Sequence, residues 1–213
     1  MATTFYIVRH GTTVWNVEKR YQGWADIPLD DFGHRQGALL SDYFQDISID
    51  VGVSSPLQRA TKTLDYILNG KEVPVQIEKG LMEIDQGKAD GLTYEELVKV
   101  YPDYAYTTWN TPGVAQAPQG ENSGQVQKRM VQTIEQLAAA YPGKTLAMVS
   151  HGFAISMLLN YIKGIPLEKA EFMIPDNVSV SKIEVDEQGN MKIDYYNDSS
   201  HIPEELVFNY SHG

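Results

Sequence analysis

Short apolar runs of strand length alternate along this chain with stretches whose apolar residues recur at helical spacing. Thr4-Phe5-Tyr6-Ile7-Val8, Val51-Gly52-Val53, residues 73–77 and residues 145–150 read as strands. Residues 33–44 (Leu39, Leu40, Tyr43, Phe44), 95–100, 123–141 (Val126, Met130, Ile134, Leu137) and 153–162 read as helices. Asp30 or Asp31 stands ready to cap the first of these. Ser54-Ser55-Pro56 reads as another helix start, with serine at the N-cap and proline at the first helical position. The helix at 153–162 stops at Gly164, with Pro166 beyond. Residues 178–185 and 191–196 alternate and predict a hairpin around Gln188-Gly189-Asn190. Repeated strand–helix alternation predicts an α/β fold with a mostly parallel sheet covered on both faces. Residues 87–120, richer in Pro, Gly, Thr and Tyr, predict an excursion over the ligand crevice. No linker or repeat divides the 213 residues, which read as one domain.

In an open α/β sheet, ligands bind beyond the carboxyl ends of the strands, and there the chain repeats one setting. Arg9-His10-Gly11 follows the first strand, and Ser150-His151-Gly152 follows the strand at 145–150. If those strands are neighbours, both imidazoles enter one crevice, where histidine can serve as nucleophile, acid or base. Composition narrows the possibilities. The absence of cysteine excludes a disulfide framework and a cysteine-based zinc site. No His-x-His or His-x-x-x-His pair occurs, so no metal is expected. A formal net charge of −11 argues against partners such as nucleic acid or acidic lipid surfaces. An anionic substrate would therefore need the few cations gathered at one place. No signal-like start and no apolar run of bilayer-spanning length is visible, which leads to the expectation of a cytoplasmic protein.

The segment Arg9-His10-Gly11-Thr12-Thr13-Val14-Trp15-Asn16 resembles the signature of the histidine phosphatase superfamily, which includes cofactor-dependent phosphoglycerate mutases and acid-type phosphatases. The likeness continues in order through Gln22-Gly23, Asp26-Ile27-Pro28-Leu29 and Ser54-Ser55-Pro56-Leu57-Gln58-Arg59-Ala60. It goes on through Leu81-Met82-Glu83, Gly120-Glu121 and Ser150-His151-Gly152 to about Asn177. This resemblance implies a three-layer α/β/α fold like that of phosphoglycerate mutase. It also implies His10 as nucleophile, Arg9, Arg59, His151 and Asn16 as phosphate-binding residues, and Glu83 as the acid. Gln22, Gly23 and Gly152 are substrate-binding candidates on the same basis. Two departures bear on the substrate: Asn122 stands where many relatives have serine, and Lys88-Ala89-Asp90 stands where phosphatases often carry an aromatic and a glutamate.

The chemistry can be argued from the residue types as well. A neutral imidazole nitrogen that attacks phosphorus splits one hard displacement into two easier ones. The transition state spreads negative charge over equatorial oxygens, which guanidinium forks match well. Arg59 would lie in the first turn of the helix at Pro56, whose N-terminal field also favours an anion. A protonated His151 would add a third cation, and Asn16 could donate its amide hydrogens. Leu81, Met82 and Ile84 around Glu83 would raise its carboxyl pKa and keep a proton available for the leaving group. Asp85 is its rival, on the same side if the path is strand-like. Taken singly, each residue has an ordinary alternative: an ion pair for Arg9, a self-bonding loop residue for Asn16, a solvated helix position for Arg59, a packed strand-end histidine for His151, and a surface carboxylate for Glu83. His34, His201 and His212 read as surface residues.

These residues lead to the expectation of a phosphomonoester hydrolase for small phosphorylated metabolites that needs no cofactor. A phosphoglycerate mutase is the first alternative. Mutases resembling this chain clamp the glycerate carboxylate with arginines from the excursion, yet between Glu83 and Gly120 there are only Lys88 and Lys99. A non-catalytic binder of phosphorylated ligands is the second alternative, and it predicts loss of His10 or Glu83, both of which are present. Tyr94, Tyr101, Tyr104, Tyr106 and Trp109 could meet a ring-bearing leaving group or simply pack the excursion.

Overall fold

Phe5 and Ile7 alternate with Tyr6 and Val8 along the first strand, β1 (Thr3–Arg9), and the alternation sorts them between two cores. The structure is a computed structural model that describes residues 1–208. His212 of the sequence reading lies outside the described residues. The other strands are β2 (Val51–Ser54), β3 (Val75–Ile77), β4 (Thr145–Ser150), β5 (Val180–Val185) and β6 (Met191–Asp198). They form one sheet in the order β3-β2-β4-β1-β5-β6. β3, β2, β4 and β1 run parallel, and β5 and β6 add an antiparallel edge.

The helices are α1 (Val14–Val17), α2 (Asp31–Tyr43), α3 (Gln58–Leu68), α4 (Tyr94–Val100), α5 (Pro102–Asn110), α6 (Ser123–Ala140) and α7 (Gly152–Ile162). Leu40 and Phe44 from α2 and its end, with Leu64 and Ile67 of α3, pack with Val8, Ala147 and Val149 on one face. Met130 and Ile134 of α6, with Met157 and Leu158 of α7, pack with Ile7, Met148 and Ile183 on the other. Strands buried on both sides account for the nearly continuous apolar runs. The 87–120 stretch carries α4 and α5 around a small core of its own, which includes Leu97, Tyr104, Ala105 and Ala117. Among the described residues no helix is long and apolar enough to cross a membrane.

Several local expectations need correction. Helix α3 starts at Gln58, and Ser54, Ser55 and Pro56 lie before it. Its N-terminus is satisfied from a distance: Asp26 Oδ1 accepts the Gln58 N–H at 2.7 Å, and Oδ2 accepts its side-chain amide at 3.0 Å. A carboxylate there meets both the open N–H and the positive helix end, so the local serines were not needed as caps. Strand β3 is shorter than expected, an edge strand with Val75 and Ile77 half exposed. Helix α5 had no counterpart in the sequence reading, and α1 is a single turn. Asp30 is the cap of α2, accepting the Gly33 N–H. The β5–β6 hairpin turns where expected, with Gly189 at φ +83° and Asp186 accepting the N–H groups of Gln188 and Asn190.

Asp26→Ala should lower stability by about 1 kcal/mol, the usual cost of a lost N-cap. A fall in the urea midpoint at unchanged m-value checks this; an unmoved midpoint would show that the Gln58 N–H is satisfied without it.

Candidate active site

The register of the sheet creates the site. Arg9 of β1 pairs with Ser150 of β4, so His10 and His151 leave adjacent parallel strands at the same level. Their ring centroids are 5.0 Å apart, tilted by 57°. The His10 N–H donates to the Ser150 carbonyl at 3.1 Å, and the His10 carbonyl accepts from Asn177 Nδ2 at 2.8 Å. The Gly11 N–H goes to Thr63 Oγ1. This backbone is therefore tied to three other elements, and both histidines are buried.

Hydrogen bonding determines each imidazole's tautomer. His10 Nδ1 lies 2.6 Å from the Gly11 carbonyl, which can only accept, so Nδ1 carries the proton and Nε2 keeps its lone pair. His151 has the opposite arrangement. Arg59 Nε–H donates to His151 Nδ1 at 3.2 Å, so Nε2 carries the proton toward Ser55 Oγ at 2.8 Å. Burial, then the charges of Arg59 and Arg9, hold His10 well below its ordinary pKa of 6.5, against a smaller pull from the Gly11 carbonyl. Burial and then Arg59 do the same to His151. A cationic His151, as entertained from the sequence, is thus not its state here: an imidazole that accepts from a guanidinium has no room for a second proton.

Arg59 is fully buried, and its guanidinium rests on neutral groups. Nη1 donates to the Ala25 carbonyl at 2.9 Å and Nη2 to the Gly23 carbonyl at 2.8 Å. With Nε on His151, three of its five N–H groups are committed and two remain. Burial lowers its pKa to about 10, opposed by Glu83, Asp26 and Asp90, and it stays cationic at neutral pH. Arg9 is buried beside it and donates from Nη1 to the Pro175 carbonyl at 2.7 Å. A Cβ at Gly152 would lie 3.3 Å from the Arg9 guanidinium and 2.9 Å from Ile174, so Gly152 gives the arginine its room. A Cβ at Gly23 would come within 2.7 Å of the Gln86 N and Ile84 O atoms, so glycine lets that loop approach.

The Glu83 carboxylate sits on the N-terminus of α7. Oε1 accepts the N–H groups of Ile84 at 2.9 Å and Ala154 at 3.0 Å, and Oε2 accepts that of Phe153 at 3.0 Å. Burial pushes its pKa up, outweighing the Ile84 and Phe153 N–H groups and the charges of Arg59 and Arg9. Asp85 is different: it is only partly buried, and its Oδ1 accepts the Gly87 N–H of its own turn. Residues 83–86 also belong to no strand, lying between 3-10 turns at residues 79–81 and 87–89. The N-termini of α3 and α7 are both occupied by carboxylates of the protein, so the anion-favouring end expected at Arg59 already holds Asp26.

Asn16 completes the capping box of α1, whose N-cap is Thr13, its Oδ1 accepting from the Thr13 N–H at 3.0 Å. The self-bonding alternative is therefore part of the answer, and its Nδ2 is left to donate elsewhere. Gln22 Oε1 accepts from Thr13 Oγ1 at 3.0 Å, while its buried Nε2 has no hydrogen-bond partner among the described residues. A buried donor without a partner is costly, and here it lies in the loop that holds Arg59.

A family model of the histidine phosphatase superfamily (branch 1) matches residues 5–199. The chain belongs to that superfamily. It is 34% identical over 200 residues to an uncharacterised phosphatase, PhoE, of Bacillus subtilis (strain 168), covering 94% of this chain and 97% of that one. It is 30% identical over 179 residues to a probable phosphoglycerate mutase, GpmB, of Cronobacter sakazakii (strain ATCC BAA-894), covering 84% and 83%. Among solved structures, Bacillus stearothermophilus YhfR superposes with a TM-score of 0.89 at 30% identity, over 94% of this chain and all of that one.

In this histidine phosphatase, other residues enter that sequence reasoning did not assign to the site. Ser55 was read as a helix cap and instead accepts from His151. Asp90 accepts the Gly23 and Ala25 N–H groups at 2.8 and 2.9 Å, bracketing the loop whose carbonyls hold Arg59. Trp24 donates its indole N–H to the Glu83 carbonyl. Asn122 turns out to be the N-cap of α6, accepting the Gln125 N–H, a duty that serine performs equally well. His34 and His201 are half buried rather than surface residues, bonded to Tyr66 Oη and the Val178 carbonyl. Tyr104 packs and donates to Gln86, whereas Tyr94 and Tyr106 are exposed.

Both site histidines should titrate below pH 6.5 in the free protein, followed by the ring-carbon NMR shifts. The sign for stability follows: below pH ~6.5 the unfolded chain binds protons at these rings that the folded one refuses, so stability falls as pH falls. An ordinary titration of His10 would contradict the buried neutral imidazole.

Proposed function

We propose that this chain hydrolyses phosphomonoesters of small metabolites through a phosphohistidine at His10. The tautomer of His10 carries the reading: a neutral imidazole whose Nδ1–H is held by a carbonyl leaves Nε2 as a nucleophile beside two guanidinium groups. In the first step Nε2 bonds to phosphorus, the ester P–O bond breaks, and the leaving oxygen takes the proton of Glu83. In the second, water bonds to phosphorus, the P–N bond breaks, and the Glu83 carboxylate takes the water proton. Arg9, the two unused N–H groups of Arg59, Asn16 Nδ2 and Gln22 Nε2 stabilise the charge on the equatorial oxygens. His151 joins them as a hydrogen-bond donor through Nε2 once it exchanges Ser55 for phosphate. No step uses a metal.

The placement of the arginines supports hydrolysis over mutase chemistry. The chain has five. Arg9 and Arg59 are at the site; Arg20 bonds Glu18 and the Gly91 carbonyl, and Arg35 lies over Phe32. Arg129 has all five donors filled by protein oxygens. Lys88 and Lys99 are exposed, Lys99 within α4. No guanidinium remains to hold the carboxylate of a waiting glycerate, so water reaches the phosphohistidine first.

His10→Ala should abolish turnover, and quenched wild-type enzyme should carry acid-labile, base-stable phosphate on His10 by mass spectrometry. Activity should survive EDTA. Phosphate on another residue would overturn the assignment. Glu83→Gln should cost roughly 10²–10⁴-fold on alkyl phosphates and far less on a nitrophenyl phosphate, whose leaving group hardly needs a proton; equal losses would remove Glu83 as the acid. Given 3-phosphoglycerate with a trace of 2,3-bisphosphoglycerate, the enzyme should release phosphate faster than it interconverts the isomers, and the opposite order would make it a mutase.

A further inference from the structure

We propose that Arg129 and Glu121 form a brace that positions Glu83 for proton transfer, a reading that rests on Glu83 being the acid. Arg129 projects from α6, and three of its N–H groups reach the backbone of the segment that carries Glu83. Nη1 donates to the carbonyls of Gly80 and Met82, and Nη2 to that of Glu83 itself at 2.9 Å. Its other two N–H groups grip the Glu121 carboxylate side-on, each at 2.9 Å. Glu121 closes the frame from the far side: its Oε2 accepts the Asp85 N–H, and its own N–H donates to the Asp85 carbonyl, both at 2.9 Å.

Segment 80–85 belongs to no strand, so its carbonyls have no ladder to meet them and this guanidinium takes the ladder's place. The planar fork reaches three carbonyls and a carboxylate at once, which an ammonium cannot do. Both side chains are four-fifths buried, and the pair is neutral overall, so the brace holds the acid without a net charge next to it. Positional control matters here because the Glu83 carboxyl must release and regain a proton while it stays on the Ile84, Phe153 and Ala154 N–H groups. A misplacement of about 1 Å can cost a catalytic group ~10²-fold. Arg129 and Glu121 are thus positioning residues and touch no substrate.

The test compares Arg129→Lys and Glu121→Gln on an alkyl phosphate and on a nitrophenyl phosphate, alone and in a Glu83→Gln background. Arg129→Lys should lose roughly 10- to 100-fold in kcat/KM on the alkyl ester and little on the nitrophenyl ester. Glu121→Gln, which keeps the shape of the pair, should show the same selectivity more weakly and guards against misfolding of the lysine variant. In the Glu83→Gln background neither should cost anything further on the alkyl ester. Equal losses on both esters, or a further loss in that background, would reduce the pair to a structural role. If Glu83→Gln is selective and the two variants are not, the brace falls alone; if Glu83→Gln is itself unselective, the acid assignment falls and the brace with it.

Discussion

A guanidinium with no solvent exposure must be solvated by the protein, and at Arg59 the solvating groups are two peptide carbonyls and an imidazole. A carboxylate in direct contact would neutralise the cation and fill the position that the proposed phosphate would take. Carboxylates stand one step back instead: Asp90 holds the N–H groups of the same loop, and Glu83 and Asp26 act through space. Much of the local order follows from this. The Gly23 loop is fixed because its carbonyls face Arg59, the His151 tautomer is fixed because it accepts from Arg59, and Ser55 is drawn in because that tautomer must donate.

The two histidines and the glutamate show burial working in opposite chemical directions on acids and bases. Burial keeps the imidazoles neutral, which suits a nucleophile, and favours a protonated carboxyl at Glu83, which suits a proton donor. Glu83 also receives three backbone N–H groups that favour its anion. The proposed acid and base role, which needs both states in one turnover, is well served by such opposed influences.

What the sequence revealed and what it concealed differ by range. His10 and His151 were legible because each follows an apolar run and precedes a glycine, and parallel pairing of β1 with β4 brings such ends together. The cap of α3 was misplaced because Ser54-Ser55-Pro56 carries a local signature, whereas Asp26 reaches Gln58 across 32 residues. Helix α5 was hidden in a stretch whose Pro, Thr and Tyr content reads as loop, and it is held by its own small core. Arg129 and Asp90 escaped because much of what they bond is main chain, which leaves no complementary residue type to spot. The Arg9, Arg59 and Glu83 positions were found through family likeness; nothing in local periodicity singles them out.

The 87–120 stretch enters and leaves the fold at two different parts of this machinery. Near its start Asp90 is bonded to the loop that holds Arg59, and just past its end Glu121 is bonded to the segment that carries Glu83. Gly87 and Gly120 meet between them, where a Cβ on either would strike backbone of the other arm. The middle of the stretch, α4 and α5, touches neither Arg59 nor Glu83 through any of these bonds. A lineage can therefore rewrite the interior of this insert without touching the bonds around Arg59 and Glu83, as long as both hinges are inherited unchanged. Swaps between relatives cut inside Asp90 and Glu121 exchange a self-contained small core; cuts outside them exchange the supports of Arg59 and Glu83.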